Sequence, residues 1–201
     1  MPPTPPAGAR SGAPAPDPRE PAPPGPARAA DGLRAAFRRA ASSVWVVTAA
    51  SAGAPAGFTA TSVASVSVDP PLLSFNVGRT SSSLATLQSG GACAVHLLAA
   101  GSEALARTFA GPAAARFADP AAWRWGEDGL PELAGVAARL SGPVTALVPA
   151  GDSVIVVVEV QRTAVHERPS LVHHDRAYTA LPAPPPAGPQ RTAGASLRAC
   201  S

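Results

Sequence analysis

One stretch limits the possible folds of this chain more than any other, the segment from Gly57 to Pro71. From Phe58 to Val68 the side chains alternate, with mostly Thr and Ser on one face and Phe, Ala and Val prominent on the other. A period of two over this length predicts one long β-strand. Asp69-Pro70-Pro71 ends it, because proline cannot donate a hydrogen bond to a sheet. The hydroxyl-lined face is either exposed to solvent or placed against a flat ligand with a polar edge, which small side chains allow to approach closely.

The rest of the central region adds short strands and few helices. Further strands are predicted at 44–48, 72–77, 92–98, 136–148, 154–160 and 171–178. Helices are predicted from an Asp31 cap to Ala41, after Ser83, and at 102–110, with an irregular segment at 111–135. The run from Val154 to Val160 is apolar on both faces, which predicts a strand covered on both sides, by the core and by a helix or a second subunit. This pattern predicts a mainly β fold, a barrel with a few short capping helices.

Proline and charge define the domain and exclude several classes of function. Of the 25 prolines, eleven lie in residues 1–30 and five in 182–201, which predicts two disordered tails around one domain at 31–181. Eleven arginines balance eleven acidic residues within 31–181, so no basic nucleic-acid groove is expected. No apolar run is long enough for a membrane span and no signal peptide is visible, which predicts a cytoplasmic protein.

A run of hydroxyl residues follows the strand at 72–77. Residues 78–83 read Gly-Arg-Thr-Ser-Ser-Ser and open the next helix. Capping explains one such hydroxyl. Four hydroxyls beside Arg79 exceed what a cap needs, and they also have the composition of a phosphate site.

The remaining candidates for chemistry are few. His96, alone in a strand, is predicted to be a hydrogen-bonded structural residue. Trp123 and Trp125 are expected to pack on the barrel or on a partner subunit. The two cysteines form neither a disulfide framework nor a zinc site, and no metal ligands are expected. No dinucleotide-binding, serine-hydrolase or metalloprotease motif is present.

Taken in order, these segments resemble the short-chain flavin reductases, the reductase components of two-component flavin-dependent monooxygenases. The resemblance covers most of 33–181. Its segments are Leu33-Arg34-Ala35-Ala36-Phe37, Val44-Trp45-Val46-Val47-Thr48, Gly57-Phe58-Thr59-Ala60-Thr61-Ser62, Ser65 to Pro71, Gly78 to Ser83, Ala94 to Leu98, Leu105 to Gly111, Arg116-Phe117-Ala118 and Pro169 to His174 with Tyr178.

The resemblance implies a split β-barrel that binds FMN or FAD, usually as a homodimer. It implies reduction of that flavin by NADH or NADPH through direct hydride transfer, for a partner monooxygenase of secondary metabolism or aromatic hydroxylation. On the last predicted strand, His174 shares one face with Val172, Arg176 and Tyr178, and it is the candidate catalytic residue on the nicotinamide side. The cofactor-binding residues that the resemblance implies are Thr59, Ala60, Thr61, Ser62, Asn76, Arg79, Thr80, Ser81, Ser83, Phe109, Ser153 and Tyr178.

Two positions depart from the family pattern. Gly151-Asp152-Ser153 stands where the family often has a turn ending in histidine, and His96 stands where asparagine is common. The missing imidazole bears on nicotinamide binding more than on flavin binding. Two alternatives stay open: a split-barrel flavoprotein that retains its flavin and acts on another substrate, and a flavin-binding module without catalysis.

Overall fold

The computed structural model of the chain describes residues 25–181. Most of the two predicted tails, 1–24 and 182–201, therefore lies outside the described residues. The first helix, α1 (Pro26–Arg39), begins with a proline, which suits the first turn of a helix. It begins before the predicted boundary at 31. Asp31 accordingly lies inside the helix and pairs with Arg34 at 3.1 Å, so its prediction as the helix cap was wrong.

Thirteen strands make up nearly half of the described chain. They are β1 (Ser42–Ser43), β2 (Trp45–Ser51), β3 (Ala54–Ala60), β4 (Ala64–Val68), β5 (Pro71–Gly78), β6 (Ala92–Leu97), β7 (Trp123–Trp125), β8 (Pro131–Leu133), β9 (Ala138–Ala150), β10 (Ser153–Glu159), β11 (Arg162–Val165), β12 (Leu171–His174) and β13 (Ala177–Ala180). The other helices are α2 (Leu84–Gly90) and α3 (Glu103–Ala110), with a 3₁₀ turn at Ala113–Ala115.

The main sheet runs in the order β3-β2-β6-β9-β10-β5-β4, and all its neighbours are antiparallel. The long strand β9 joins its two halves. Residues 138–143 of β9 pair with β6, while residues 144–150 pair with β10. At this junction a side chain on Gly142 would overlap the carbonyl of Glu159, so only glycine allows the two strands to cross so closely.

Two apolar clusters lie on opposite faces of β2. Val47 belongs to the barrel interior, which contains Phe75 and Val156 and which Leu87 of α2 closes at one end. Val46 faces the second cluster, formed with Phe109 of α3 and Leu171 of β12. Strand β2 is therefore buried on both sides and holds α3 and the β12–β13 hairpin against the barrel.

The single strand predicted at 58–68 is in fact two strands. β3 ends at Ala60 and β4 begins at Ala64, and these are the two edge strands of the main sheet. Between them the Ser62 hydroxyl accepts the backbone N–H of Asn76 at 2.9 Å. A small hydroxyl residue can thus replace a strand partner and let the chain cross from one edge to the other, which alternation alone does not reveal.

The strand predicted at 171–178 is also interrupted. Asp175 and Arg176 have φ values of 44° and 66° and form a tight turn between β12 and β13. Arg38 holds this turn, because its Nε donates to the Asp175 carboxylate at 2.8 Å and its carbonyl accepts the Asp175 N–H. The irregular segment predicted at 111–135 contains the short β7–β8 hairpin, and β11 was not predicted. None of the helices within 25–181 is long and apolar enough to cross a membrane.

Candidate functional site

Two of the predicted cofactor-binding segments meet at Gly57. The end of β3 carries Thr59 and Ala60, and the loop after β5 carries the hydroxyl run. Ser83, only 2% exposed, donates its hydroxyl proton to the Gly57 carbonyl at 3.2 Å. A side chain at position 57 would lie 2.8 Å from the Val47 carbonyl and 3.0 Å from the Phe109 ring, so a residue without Cβ is needed for this approach.

Arg116 reaches the same carbonyl from a third segment. Its Nη1 donates to Gly57 O at 2.6 Å, and its Nε and Nη2 donate to Gly111 O at 3.1 and 2.8 Å. Nη1 also lies 3.5 Å from the hydroxyl of Ser82 and 3.4 Å from that of Ser83. Partial burial lowers the pKa of Arg116 below its usual value, although an arginine stays protonated at neutral pH. The sequence placed Ser82 in the hydroxyl run and Arg116 in a segment of the family resemblance, but neither was predicted individually as a cofactor-binding residue.

The hydroxyls at this site divide into those used by the fold and those left exposed. Thr59 donates to Ala106 O at 2.7 Å, and the Ser81 hydroxyl accepts the Ser83 N–H at 3.3 Å. Within residues 25–181, the exposed hydroxyls of Thr61 and Thr80 form no hydrogen bond. Ser83 makes no side-chain cap for α2, so capping does not account for the run.

Arg79 and Ser153 lie together at the β9–β10 turn. Ser153 faces Gly78 across the β5–β10 ladder and donates to the Asp152 carboxylate at 3.1 Å. The backbone N–H of Arg79 donates to Asp152 O at 2.9 Å, and its Nη1 lies 3.4 Å from Gly151 O. The Arg79 guanidinium is therefore directed toward this turn.

The β12–β13 hairpin separates two residues that the sequence placed on one face. Val172, His174, Arg176 and Tyr178 would share a face only in a continuous strand. In the hairpin Tyr178 lies opposite His173, with ring centroids 5.3 Å apart, and His174 lies opposite Ala177 on the other face. The Arg107 guanidinium of α3 lies 5.0 Å from the centre of the Tyr178 ring. The structure thus groups His173, Tyr178 and Arg107, and leaves His174 exposed on the opposite side.

Phe109 and Asn76 lie in contrasting surroundings. Phe109 is completely buried and packs edge-on against Phe117, with centroids 5.1 Å apart. Its predicted contact with a cofactor is not supported, because its role is to pack beneath Gly57. The exposed Asn76 lies on the outer face of β5, opposite Ile155.

Comparison with known proteins agrees with this arrangement. Residues 37–182, most of the chain, match the flavin reductase like domain. The chain belongs to the flavin reductase-like family. The predicted family and its mainly β, split-barrel fold are therefore confirmed.

Individual members of this flavin reductase-like family show how close the likeness is. The chain is 40% identical, over 74% of its length and 81% of the relative's, to an NADH:FMN oxidoreductase of Rhodococcus erythropolis. It is 31% identical to the Streptomyces globisporus NADH:FAD oxidoreductase SgcE6, solved with NAD and FAD fragments, with a TM-score of 0.72 over 77% of this chain and 94% of that one. It is also 31% identical to BorF, the flavin reductase component of a bacterial two-component tryptophan halogenase, with a TM-score of 0.70 over 76% of this chain and 98% of that one.

A second polar cluster of this flavin reductase-like domain lies where the loop between β7 and β8 meets β9. Arg139 Nη2 donates to both carboxylate oxygens of Asp128 at 2.8 Å. The Ser141 hydroxyl donates to Asp128 Oδ2 at 2.7 Å. Burial raises the pKa of Asp128, but the bonds from Ser141 and Arg139 and the charge of Arg139 outweigh it, so the net pKa lies below the usual value. Asp128 is thus held as a partly buried carboxylate.

His96 is completely buried beside this cluster. Its Nδ1 lies 3.2 Å from Val46 O, and its Nε2 accepts the Leu133 N–H at 3.4 Å, which fits a neutral ring protonated on Nδ1. Burial lowers the pKa of His96 to about 3. The prediction of a hydrogen-bonded structural histidine is confirmed.

Proposed function

We propose that this chain is an NADH-dependent flavin reductase, which reduces FMN or FAD and releases reduced flavin to a partner monooxygenase. One observation carries the assignment: the exposed Ser82 hydroxyl and the Arg116 guanidinium, which has no carboxylate partner within residues 25–181, meet beside the Gly57 carbonyl in a domain of the flavin reductase-like family. The Rhodococcus relative and SgcE6 are named for reduction of FMN and FAD, respectively, by NADH.

The residues around Gly57, where β3 and the hydroxyl run meet, suit the chemical groups of a flavin. The backbone of Ala60 and the exposed Thr61 offer hydrogen bonds to a polar ring edge, while Thr80 and Ser82 offer hydroxyls to a phosphate. A bound flavin supplies the hydride-accepting ring, so the protein has only to orient the two nucleotides and exclude water. This explains why no acid–base triad is needed.

The nicotinamide is proposed to approach from the β12–β13 hairpin. His174 remains the candidate from the family resemblance, although His173, Tyr178 and Arg107 form the cluster on the opposite face. Replacing His174 by Ala should raise the KM for NADH or lower the hydride-transfer rate by roughly fivefold or more, with little change in flavin affinity. His173→Ala is the matched variant, and an NADH defect confined to it would move the role to the Tyr178 face.

We also propose a homodimer that covers the outer face of β10. Ile155 and Val157 lie half-buried there, and their ladder partners include Val148, which is 48% exposed. Asn76 lies on the same face, so a second subunit seated there would contribute to the flavin site. The uncharged edge strand β4, with Val66 54% and Val68 88% exposed, offers further apolar surface.

Sedimentation tests the dimer. Val157→Glu should give monomers or aggregates, because it places a charge at the centre of the face. Thr163→Glu, on the exposed strand β11, should leave the assembly unchanged. A monomeric wild-type protein would end this proposal.

The proposed activity is tested by adding NADH or NADPH with FMN or FAD to the purified protein and following nicotinamide absorbance. Turnover of added flavin in excess of the protein supports a diffusible flavin substrate. Activity only with retained flavin and another acceptor would favour the alternative flavoprotein, and binding without turnover would favour a non-catalytic module. Because NADH is a reductant of the cell interior, we place the enzyme in the cytoplasm.

A further inference from the structure

A cavity that shares no residue with the site around Gly57 lies between the β7–β8 hairpin and the segment that follows β11. This hairpin cavity has a volume of about 260 Å³. Its lining includes Trp123, Arg124, Glu132, Leu133, His166 and Arg168. Sites for drug-sized ligands commonly enclose about 300–1,000 Å³, so the hairpin cavity suits a small molecule rather than a flavin or a dinucleotide.

Two of the three arginines that line the hairpin cavity are already paired. Arg124 Nη2 donates to Glu132 at 2.9 Å, and Arg139 Nη2 donates to Asp128 at 2.8 Å. For the exposed Arg168, by contrast, no carboxylate within residues 25–181 lies at ion-pair distance. The lining therefore contains one guanidinium whose charge no described residue balances.

Backbone contacts fix the position of Arg168. Its N–H donates to the His166 carbonyl at 2.8 Å, and the His166 N–H donates to Ala137 O at 2.8 Å, so the chain after β11 is tied to the residue that precedes β9. A Cβ added to Gly135 would lie 4.0 Å from Arg168 Nη1, so the guanidinium lies against the turn that follows β8. The charge of Arg168 thus has a defined place at the cavity.

Apolar side chains supply much of the remaining lining. Trp123 donates its indole N–H to Phe117 O at 3.1 Å and packs edge-on against the rings of Phe117 and Trp125, with centroids 5.0 and 5.4 Å away. Leu133 and Val136 are buried in the apolar cluster that includes Phe109 and Leu171. A ligand therefore meets a preformed aromatic and aliphatic surface near the Arg168 guanidinium.

We propose that the hairpin cavity binds a small organic carboxylate with an apolar body, of about the size of an aromatic acid such as benzoate. Arg168 binds the carboxylate, because the planar fork of a guanidinium matches two carboxylate oxygens. The body of the ligand lies against Trp123 and Leu133, where its burial removes apolar surface from water. This site is additional to the flavin and nicotinamide sites and does not depend on the proposed function.

Isothermal titration calorimetry of the purified full chain with three probes tests the site and its chemistry. Benzoate should bind at least about tenfold more tightly than benzamide, which has the same ring without the charge. It should also bind at least about tenfold more tightly than inorganic phosphate, which has the charge without the apolar body. Absence of benzoate binding, or equal affinity for benzoate and either other probe, would overturn the proposal.

Two matched pairs of variants locate the bound benzoate. Arg168→Ala should weaken benzoate at least about tenfold, whereas Arg162→Ala, at an exposed arginine of β11 outside the cavity lining, should change its affinity by less than about twofold. Ala164→Phe should block the cavity, because Ala164 lines it. Val165→Phe should not, because the next residue of a strand points to the opposite face.

The variants also distinguish the hairpin cavity from the flavin site. All four changes are at exposed positions, and circular dichroism checks that each variant is folded. Benzoate binding that survives both Arg168→Ala and Ala164→Phe would overturn the proposal. If FMN then displaces that benzoate, the ligand lies in the flavin site instead. Reduction of flavin by NADH is measured separately, so its absence would refute the proposed function and leave the hairpin cavity to be judged by binding alone.

Discussion

Arg116 and Arg139 are both substantially withdrawn from solvent, yet their surroundings differ in one decisive respect. Arg139, with its side chain 11% exposed, donates to both oxygens of Asp128 and to Ser141. Arg116 donates to two backbone carbonyls and approaches two serine hydroxyls. The first cation is neutralised where it lies, whereas the second has no carboxylate partner within residues 25–181. The comparison indicates that the Asp128 cluster stabilises the fold, and it supports the proposal that the residues around Gly57 accept an anion.

The largest effect on stability is expected from breaking the ion pair between Asp128 and Arg139. Asp128→Asn should lower the free energy of unfolding by about 3 kcal/mol, because it leaves the largely buried Arg139 charge without its counterion. Urea unfolding followed by tryptophan fluorescence measures this change. Glu132→Gln, which removes an exposed pair, should cost less than about 1 kcal/mol. Equal stability of the two variants would contradict a structural role for Asp128.

A smaller loss of stability is expected when the pH is lowered, because of the buried His96. The pKa of this residue is lowered to about 3 when folded, against about 6.5 when unfolded, so the unfolded chain binds the extra proton between these values. Its contribution to stability is complete above about pH 6.5 and is lost as the pH falls, by up to ~1.4 kcal/mol per pH unit. Unfolding measured from pH 7 to pH 5 should show this slope in the wild type. The His96→Asn variant should lack it, and identical slopes would show that His96 is protonated in the fold.

The smallest effect compares two hydroxyls of one run. Ser83→Ala should lower stability by about 1 kcal/mol, because it removes the buried bond to the Gly57 carbonyl. Thr80→Ala should leave stability unchanged and weaken FMN by about 1 kcal/mol, because Thr80 is exposed and without a partner in the described chain. Unfolding and FMN titration of both variants measure the contrast. A reversal of the two results would mean that burial does not separate structural hydroxyls from binding ones.

Sequence periodicity could predict those strands in which each face keeps the same surroundings, core or solvent, along its whole length. In the strand predicted at 72–77, the alternating Leu73, Phe75 and Val77 are buried. The doubly apolar β10 lies at the centre of one half of the sheet. Periodicity failed where the hydrogen-bonding partner changes within an unbroken pattern. Ser62 ends one pairing by binding Asn76, and the positive φ angles at Asp175 and Arg176 reverse the chain, although none of these residues disturbs the alternation.

The candidate site was predictable only where its residues are adjacent in sequence. The hydroxyl run and the Gly57 segment could be identified because each is a continuous string of small polar residues. Arg116 could not, since its significance depends on the Gly57 carbonyl, 59 residues away, and on having no carboxylate partner in the described chain. The same limit applies to Phe109, whose complete burial beneath Gly57 follows from tertiary packing.

The most direct test of the account is a single turnover of hydride transfer. Purified protein with FMN is mixed rapidly and anaerobically with NADH or with NADH deuterated at the transferred position, and loss of oxidised flavin absorbance is followed. For a flavin reductase, the flavin should bleach at a rate that saturates with NADH and is slower with the deuterated reductant, without any other protein present. Flavin that stays oxidised under these conditions, with FMN and with FAD, would contradict it.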